Sequence, residues 1–393
     1  MEKPLGGHPF SFGGPWSDTT TSQSILSALA AGQRLPMPAH VECAPLVAWL
    51  HKHELAALAY RYLDSDDPAA AQLAPIYWAS ASANMMKLAL LESLLAAFAG
   101  AGIKCVLLKG MAFCLTIYPD TAVRPMTDLD IWIQRRDWAS AWQIMQELGY
   151  ETDKQWPDPL TIPGHVTALE FYPRQVMNED FLSVEIHSDV IAHPTHLIGR
   201  FPLAAWWEQT YTVAWHGHTV HLLEPGAALL HTAVHQMFQH RGQLRLRWLL
   251  DIDQLVRGTA SYHLTDADWS RLAEEADRAG VLPAIQSALR LSQKWFNTPL
   301  PEIALALLTR SSDRQQQIFF QQMVMPQQST AAHIWTDVQG IPHFRERLNL
   351  LRQKLLPNPT YMMERYQISS RLLLPFYYLR RWGKAVQMIR RRK

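Results

Sequence analysis

The sequence predicts an α+β fold in which a small mixed-sheet α/β core is flanked by N- and C-terminal helical regions. Strand-like and helix-like segments alternate only between about residues 104 and 190, and on either side of that stretch apolar residues recur at helical spacing. A chain of 393 residues also has room for two or three domains. We expect five regions: a flexible arm (1–22), an N-terminal helical region (23–102), the α/β domain (103–190), a helical domain (191–310), and a C-terminal helical segment with a basic tail (311–393).

The N-terminal third of the chain shows an arm followed by helices. Residues 1–22 are rich in Gly, Pro, Ser and Thr, which is typical of a loose segment. Leucines at helical spacing predict helices between residues 23 and 63. An Ala-, Leu- and Met-rich stretch at 70–100 predicts one or two more, which end at Gly100 and Gly102.

The α/β domain begins with a strand at 104–108, a glycine turn at Gly110 and a short helix at 111–118. The next strand carries Asp128 and Asp130. Side chains alternate along a strand, so both carboxylates share one face. Two neighbouring carboxylates repel, and burying them without a cation is costly. The pair therefore predicts a Mg²⁺ site that handles phosphates.

A third acid lies on a later strand-like run, residues 181–187. Glu185 and His187 share one face of that run. If this strand lies beside the first, Asp128, Asp130 and Glu185 converge and can hold two metal ions for in-line attack on a nucleotide α-phosphate. Glu185 then completes the metal site or acts as the base that deprotonates the acceptor hydroxyl. Motif order suggests this adjacency, but the sequence does not pair the strands.

These motifs, taken in order, resemble the uncharacterised nucleotidyltransferase family of bacteria, within the nucleotidyltransferase (polymerase-β-like) superfamily. The resemblance covers roughly residues 75 to 300. The matching elements are Leu108-Lys109-Gly110, Tyr118-Pro119, Arg124-Pro125, Asp128-Leu129-Asp130, Gly149-Tyr150, Glu185-Ile186-His187, His231, His235 and the run from Arg245 to Asp251.

The resemblance implies a nucleotidyltransferase-like core and an enzyme that moves a nucleoside monophosphate from an NTP to an acceptor, releasing pyrophosphate. Two Mg²⁺ ions are expected as cofactors, with the NTP as co-substrate. The acceptor stays open among a small molecule, a peptide or protein side chain, and an RNA end. The implied catalytic and metal-binding residues are Asp128, Asp130 and Glu185, and the implied substrate-binding residues are Lys109, Gly110, Arg124 and His187.

Each substrate-binding assignment has a structural alternative. Lys109 either contacts a phosphate or extends from a strand end to solvent. Arg124 either stabilises the leaving pyrophosphate or pins its loop through carboxylate contacts. His187 is either functional or a satisfied histidine at a strand end. Gly110 is expected to permit a sharp turn and close approach of the backbone to a ligand. The superfamily usually has Gly-Ser where this chain has Gly110-Met111, which leaves triphosphate binding open.

Two histidines and an acid downstream form a further candidate cluster. His231 and His235 are spaced i, i+4, as zinc ligands on one helix face are. No glutamate follows His231, so the zinc-protease pattern is absent. Buried histidines that hydrogen-bond to Asp251 or to the α/β domain fit better than a metal site.

Composition narrows the class of partner and the compartment. The formal net charge of +1 gives no global bias toward nucleic acid. Three cysteines without metal-ligand spacing favour a reducing cytoplasm. No apolar signal core begins the sequence, and the longest apolar stretch, 88–103, is short and interrupted, so we expect a cytoplasmic protein without a membrane span. The basic C-terminal run is expected to be a solvated helix end; contact with RNA or an anionic lipid head group is the alternative.

Two other functional classes stay open. The first is a catalytically inactive nucleotide-binding regulatory or partner protein, which the Gly110-Met111 departure supports. The second is a toxin–antitoxin component that acts on tRNA, because related nucleotidyltransferase folds serve such systems.

Overall fold

A computed structural model of the chain describes residues 20–35, 43–152, 159, 162, 166–174, 182–191, 197–239, 245–324, 338, 344–357, 359–368 and 370–390. These residues form a seven-stranded mixed sheet surrounded by helices, which confirms the predicted α+β class. Most of the predicted arm at residues 1–22 lies outside the described residues. Its last three residues begin the first helix.

The sheet has the strand order β3-β4-β5-β2-β1-β7-β6. Its strands are β1 (Val106–Leu107), β2 (Asp128–Trp132), β3 (Tyr150–Thr152), β4 (Ala168–Pro173), β5 (Ser183–His187), β6 (Tyr211–Trp215) and β7 (His218–Leu222). β2 runs parallel to β5 and β1 parallel to β7, while the other neighbours are antiparallel. The sheet therefore extends beyond residue 190, where the sequence placed the end of the α/β domain, because the β6–β7 hairpin pairs with β1. The division into five regions stays a prediction.

Helices cover the sheet and continue along the chain after it. They are α1 (Thr20–Ala30), α2 (Cys43–Lys52), α3 (Ala56–Arg61), α4 (Pro68–Gly100), α5 (Lys109–Cys114), α6 (Trp138–Glu147), α7 (Leu203–Glu208), α8 (Pro225–Val234), α9 (Leu246–Arg257), α10 (Asp266–Ala279), α11 (Leu282–Phe296), α12 (Glu302–Thr309), α13 (Arg314–Val324), α14 (Phe344–Leu355), α15 (Pro359–Arg365) and α16 (Leu374–Arg390). A π-helical turn, His235–Gln239, follows α8 directly.

One continuous core joins the N-terminal helices, the sheet and the helices up to α13. Within β2, Leu129 and Ile131 are buried in this core. They alternate with Asp128 and Asp130, as strand geometry requires. Asp130 is itself 6% exposed, so both faces of β2 are covered at that point.

The long helix α4 carries a buried polar stripe toward the loop before β2. Ser80, Asn84 and Lys87 are buried and spaced i, i+4, i+7. The Ser80 hydroxyl donates to the Ala122 carbonyl at 2.6 Å. Asn84 Nδ2 donates to two carbonyls of the same loop, at residues 121 and 124. The loop is thereby fixed by side chains outside the α/β domain.

α4 is also long and apolar enough, by length and composition alone, to cross a membrane, and no other helix in the described residues is. Of the most apolar 18-residue stretch of α4, 33% is buried inside the protein. Buried helices of a protein core have the same composition, and the hydrogen bonds of Ser80 and Asn84 place one face of α4 against the α/β domain. The absence of a membrane span stays a prediction.

Asn84 gives a test of how α4 holds the loop. We expect Asn84→Ala to lower the free energy of unfolding by about 2–3 kcal/mol, because one buried and one partly buried carbonyl lose their donor. The control is Ser93→Ala on the exposed side of α4, where the hydroxyl bonds only its own helix; its effect should stay within about 0.5 kcal/mol. Denaturant unfolding measures both, and equal effects would contradict the anchoring role.

Candidate active site

The two acid-bearing strands are neighbours. β2 and β5 pair in parallel, and their register sets Asp130 directly opposite Glu185. The expected adjacency is therefore confirmed. Since side chains alternate along each strand, Asp128, Asp130, Glu185 and His187 all project from the same face of the sheet.

Asp130, Glu185 and His187 form a group of potential metal ligands. Their ligand atoms all lie within 4.8 Å of one another. His187 Nε2 is 3.1 Å from Asp130 Oδ1 and 3.2 Å from Glu185 Oε2. Carboxylate oxygens and an imidazole nitrogen are ligands that divalent cations accept, so the donor set fits a metal ion. Two of the three predicted metal ligands thus come together, and His187, predicted to bind substrate, is the third member of the group.

Lys109 lies against this group. Its Nζ is 2.9 Å from Asp130 Oδ1 and 3.1 Å from His235 Nε2. The side chain is 12% exposed, so the sequence alternative in which it extends to solvent does not describe its position. The ammonium instead neutralises Asp130 at the place where phosphates were predicted to bind. Its proposed contact with phosphate stays a prediction.

The charges in the group hold one another in the ionised form. Burial raises the pKa of Asp130, but the Lys109 ammonium and the His187 ring outweigh burial and hold that pKa well below its usual range. Burial likewise raises the pKa of Glu185, and the charge of His187 overcomes it and lowers the pKa. For His187, burial lowers the pKa, but Glu185 and Asp130 raise it to about 9. A cation that binds through Nε2 must therefore displace a proton from His187.

Asp128 lies at the edge of the group, and its negative charge is balanced less by neighbouring cations than that of Asp130. Its carboxylate accepts a hydrogen bond from the Thr127 hydroxyl at 3.0 Å. Burial and the charge of Asp130 raise its pKa, although Lys109 acts in the opposite direction. The buried Lys87 of α4 interacts with the same acid. Burial lowers the pKa of Lys87, and the charge of Asp128 offsets part of that decrease. Asp128 therefore shares the charge of the site without belonging to the group of three close ligands among the described residues.

The turn after β1 differs from its prediction. We expected Gly110 to supply the special backbone conformation, but the residue with positive φ is Lys109, at +45°. Gly110 is the second residue of α5, and a Cβ there would lie 2.9 Å from Arg124 Nη1 and 3.1 Å from Met126 Sδ. A side chain at this position would crowd Arg124 and Met126 of the loop that packs on α5. The role of Gly110 in substrate binding stays a prediction.

Arg124 forms a buried ion pair with Asp251 of α9. Nε and Nη2 donate to the two carboxylate oxygens at 2.9 and 2.6 Å. The Tyr118 hydroxyl donates to the same carboxylate at 2.7 Å. These contacts match the alternative in which Arg124 pins its loop. Three of the family-like motifs, those of Tyr118, Arg124 and Asp251, thus meet in one network; a role for Arg124 toward pyrophosphate stays a prediction.

His231 and His235 have different surroundings. His231 is buried, and burial together with the nearby Lys109 charge lowers its pKa to about 3, so the ring is neutral. His235 contacts Lys109, and its ring lies 5.8 Å from that of Trp248. Asp251 accepts hydrogen bonds from Arg124 and Tyr118 and not from either histidine in the described residues. The expectation that a histidine contacts the α/β domain is met by His235, and no metal group containing these residues occurs in the described part of the chain.

Two features of the site were not predicted from the sequence. One is the polar stripe of α4, which a search for polar residues at helical spacing in an otherwise apolar helix would have found. The other is Glu170 of β4, which lies opposite Glu185 in the antiparallel pair. Only the register of β4 with β5 reveals that this further acid lies beside the group.

The sequence matches a known protein family. Residues 40–297 match a protein-family model described as an uncharacterised nucleotidyltransferase. Among solved structures, an antigenic nucleotidyltransferase-like protein from Paracoccidioides brasiliensis is similar, with 18% sequence identity and a TM-score of 0.34. The alignment covers 56% of this chain and 92% of that chain. No curated protein matches the sequence.

The Arg124–Asp251 pair predicts a large loss of stability when one partner is removed. We expect Asp251→Asn to cost about 3–5 kcal/mol in the free energy of unfolding, because a buried guanidinium loses its countercharge. Asp277→Asn is the matched control: its pair with Arg310 is about two-fifths exposed on both sides, and its loss should cost under about 1 kcal/mol. Similar values for the two variants, measured by denaturant unfolding, would show that the loop does not depend on this pair.

Proposed function

We propose that this chain, which belongs to the uncharacterised nucleotidyltransferase family, transfers a nucleoside monophosphate from an NTP to an acceptor and releases pyrophosphate. The observation that carries the proposal is the register of β2 with β5, which sets the Asp130 carboxylate opposite that of Glu185, with His187 within hydrogen-bond distance of both. Asp130 is buried and Glu185 is 22% exposed, and two neighbouring carboxylates in such surroundings are costly unless cations neutralise them.

Mg²⁺ is the cation we propose for the site. The Asp130 and Glu185 carboxylates would hold one ion beside His187, because Mg²⁺ prefers oxygen ligands, and Asp128, on the same face, would share a second ion with Asp130. When bound, the ions would neutralise the triphosphate and polarise the α-phosphate. The protein itself would orient the nucleotide and exclude water, because Asp130 and His187 are 6% and 1% exposed.

The bond changes follow the usual balance of a nucleotidyl transfer. The acceptor oxygen or nitrogen attacks the α-phosphorus, and the bond between the α-phosphorus and the oxygen that bridges to the β-phosphate breaks. The electron pair leaves with pyrophosphate. The acceptor proton passes to a carboxylate on the shared face. Glu185 is the candidate, because its side chain is 22% exposed and that of Asp130 only 6%.

Lys109 would change partners during binding. In the structure its ammonium neutralises Asp130 at 2.9 Å. A cation at Asp130 would repel this ammonium, and an incoming triphosphate offers it a new anionic partner. His235, 3.1 Å from the same Nζ, would hold the side chain near the site during the exchange.

Nucleotide binding without turnover is a second candidate, and Lys109 is the observation that favours it. An ammonium beside Asp130 neutralises the acid without any metal ion. A protein that keeps this pair when nucleotide binds would hold an NTP but lack the charge distribution for transfer.

A thermal-shift screen with a pyrophosphate assay tests both candidates. With an NTP at about a hundredfold excess over its Kd, Mg²⁺ should raise the Tm by about 3–6 °C, through about 2.7 kcal/mol of binding free energy. We expect Asp130→Asn and Glu185→Gln to lose the Mg²⁺-dependent shift, each judged against its own Tm. Glu151→Gln, at an exposed position of the edge strand β3, should keep it.

Three results separate the possibilities. A Mg²⁺-dependent shift with pyrophosphate release, lost in both site variants, supports transfer. A shift without pyrophosphate release across a panel of hydroxyl and amino acceptors supports binding without turnover. A shift that persists in Asp130→Asn contradicts the assignment of the site.

A further inference from the structure

The C-terminal part of the chain, which we call the basic segment (residues 344–393), differs in charge from everything before it. It contains 13 Lys and Arg residues but only two acids, Glu346 and Glu364. The rest of the chain contains 23 Lys and Arg residues and 33 acids. The overall net charge of +1 is therefore the sum of a strongly basic C-terminal segment and an acidic remainder of the chain.

The basic segment also exposes most of the large apolar side chains that reach the surface. Of the fifteen exposed ones among the described residues, nine lie here. They are Phe344, Leu348, Leu355, Leu356, Leu372, Leu373, Phe376, Leu379 and Trp382. Single exposed apolar residues are ordinary, but a concentration of this kind marks an interaction surface.

The exposed residues form a stripe that begins just before α16. Leu372, Phe376 and Leu379 are spaced i, i+4, i+7, and they are 91%, 62% and 61% exposed. The other face of α16 is occupied, because Leu374 packs with Met362 and neighbouring residues in a small separate core. The helix thus has one face inside the segment and one apolar face outside it.

The helix α14 repeats the pattern and is tied to α16. Phe344, Leu348 and Leu355 are exposed at i, i+4, i+11. The Trp382 indole donates a hydrogen bond to the Leu355 carbonyl at 2.7 Å, which links the two helices. Exposed arginines accompany both stripes: Arg345, Arg352, Arg365, Arg371 and Arg380.

We propose that the basic segment docks on an anionic lipid surface, with the leucine and phenylalanine side chains inserted at the level of the head groups and the arginines paired with lipid phosphates. A helix with an apolar face, aromatic residues and a strongly basic polar face lies in the interface plane of a membrane. Each basic residue near an anionic surface adds to the attraction. Arginine stems can lie along the apolar layer while their guanidinium groups reach the phosphates.

Two other partners fit the same surface less well. Single-stranded RNA also binds arginines, but it stacks its bases on aromatic rings, and six of the nine exposed apolar residues are leucines, which have no ring. A second copy of the chain would bring two strongly basic surfaces together, and like charges oppose that contact. The combination of aliphatic stripes and arginines therefore favours lipid.

Vesicle flotation with the full chain tests the proposal. Vesicles of phosphatidylcholine alone are compared with vesicles in which about a third of the lipid is phosphatidylglycerol, and the anionic vesicles should bind at least about tenfold more tightly. Added salt should weaken the binding, because the charges lie at the surface.

Two sets of variants separate the apolar from the charged contribution. Leu372→Ser, Phe376→Ser and Leu379→Ser together should reduce binding at least about tenfold. Leu305→Ser with Ile318→Ser, which changes exposed apolar residues outside the basic segment, should leave it unchanged. Changing the four arginines at 345, 352, 371 and 380 to Gln should also reduce binding about tenfold or more, whereas Lys at the same positions should preserve it within about threefold.

Several outcomes overturn the proposal. Equal binding to neutral and anionic vesicles would do so, and so would a Ser triple variant that binds like the wild type. Binding to a single-stranded RNA without any to vesicles would assign the segment to nucleic acid. If the wild type sediments as a dimer, the Ser triple variant sediments as a monomer, and no vesicle binding is seen, the stripe is a self-association surface. The residues changed lie outside the proposed catalytic site, so failure here leaves the transferase proposal standing.

Discussion

The parallel pairing of β2 with β5 is the constraint on which the rest of the site depends. A shift of one residue would turn Glu185 into the core and place Val184 or Ile186 on the shared face. The apolar residues that alternate with the acids resist this shift, because Leu129, Ile131 and Val184 are at most 1% exposed. Hydrophobic burial on one face of the two strands thus fixes where the carboxylates of the other face lie.

Charge balance is the second requirement, and the protein meets it with side chains from distant parts of the chain. Lys109 follows β1, His187 ends β5 and Lys87 comes from α4. The first two pair with Asp130, and Lys87 interacts with Asp128 on the same face. The buried pair of Arg124 with Asp251 keeps the loop before β2 in place between α5 and α9. Helices that precede and follow the central strands in the chain therefore contribute side chains that position the site.

The sequence predicted much of the local structure because local signals are strong there. Helices were expected between residues 191 and 310, and α10 and α11 lie there; α10 begins with a capping box of Thr265 with Asp268. The acid pair and the third acid were visible from strand alternation alone. Pairings between distant segments were not, because no local period specifies a partner: β7 beside β1 carried the sheet past residue 190. No local period in the sequence indicates the positive φ of Lys109 or its contact with Asp130 either.

An anomalous difference map tests the central claim, that Asp130, Glu185 and His187 form a cation site, most directly. Crystals grown with Mn²⁺ and a non-hydrolysable NTP analogue should show a peak bonded to the Asp130 and Glu185 carboxylates at roughly 2.0–2.3 Å, with Lys109 Nζ turned from Asp130 toward phosphate. A map with bound nucleotide but no peak at these residues, and with Lys109 still paired to Asp130, would contradict it.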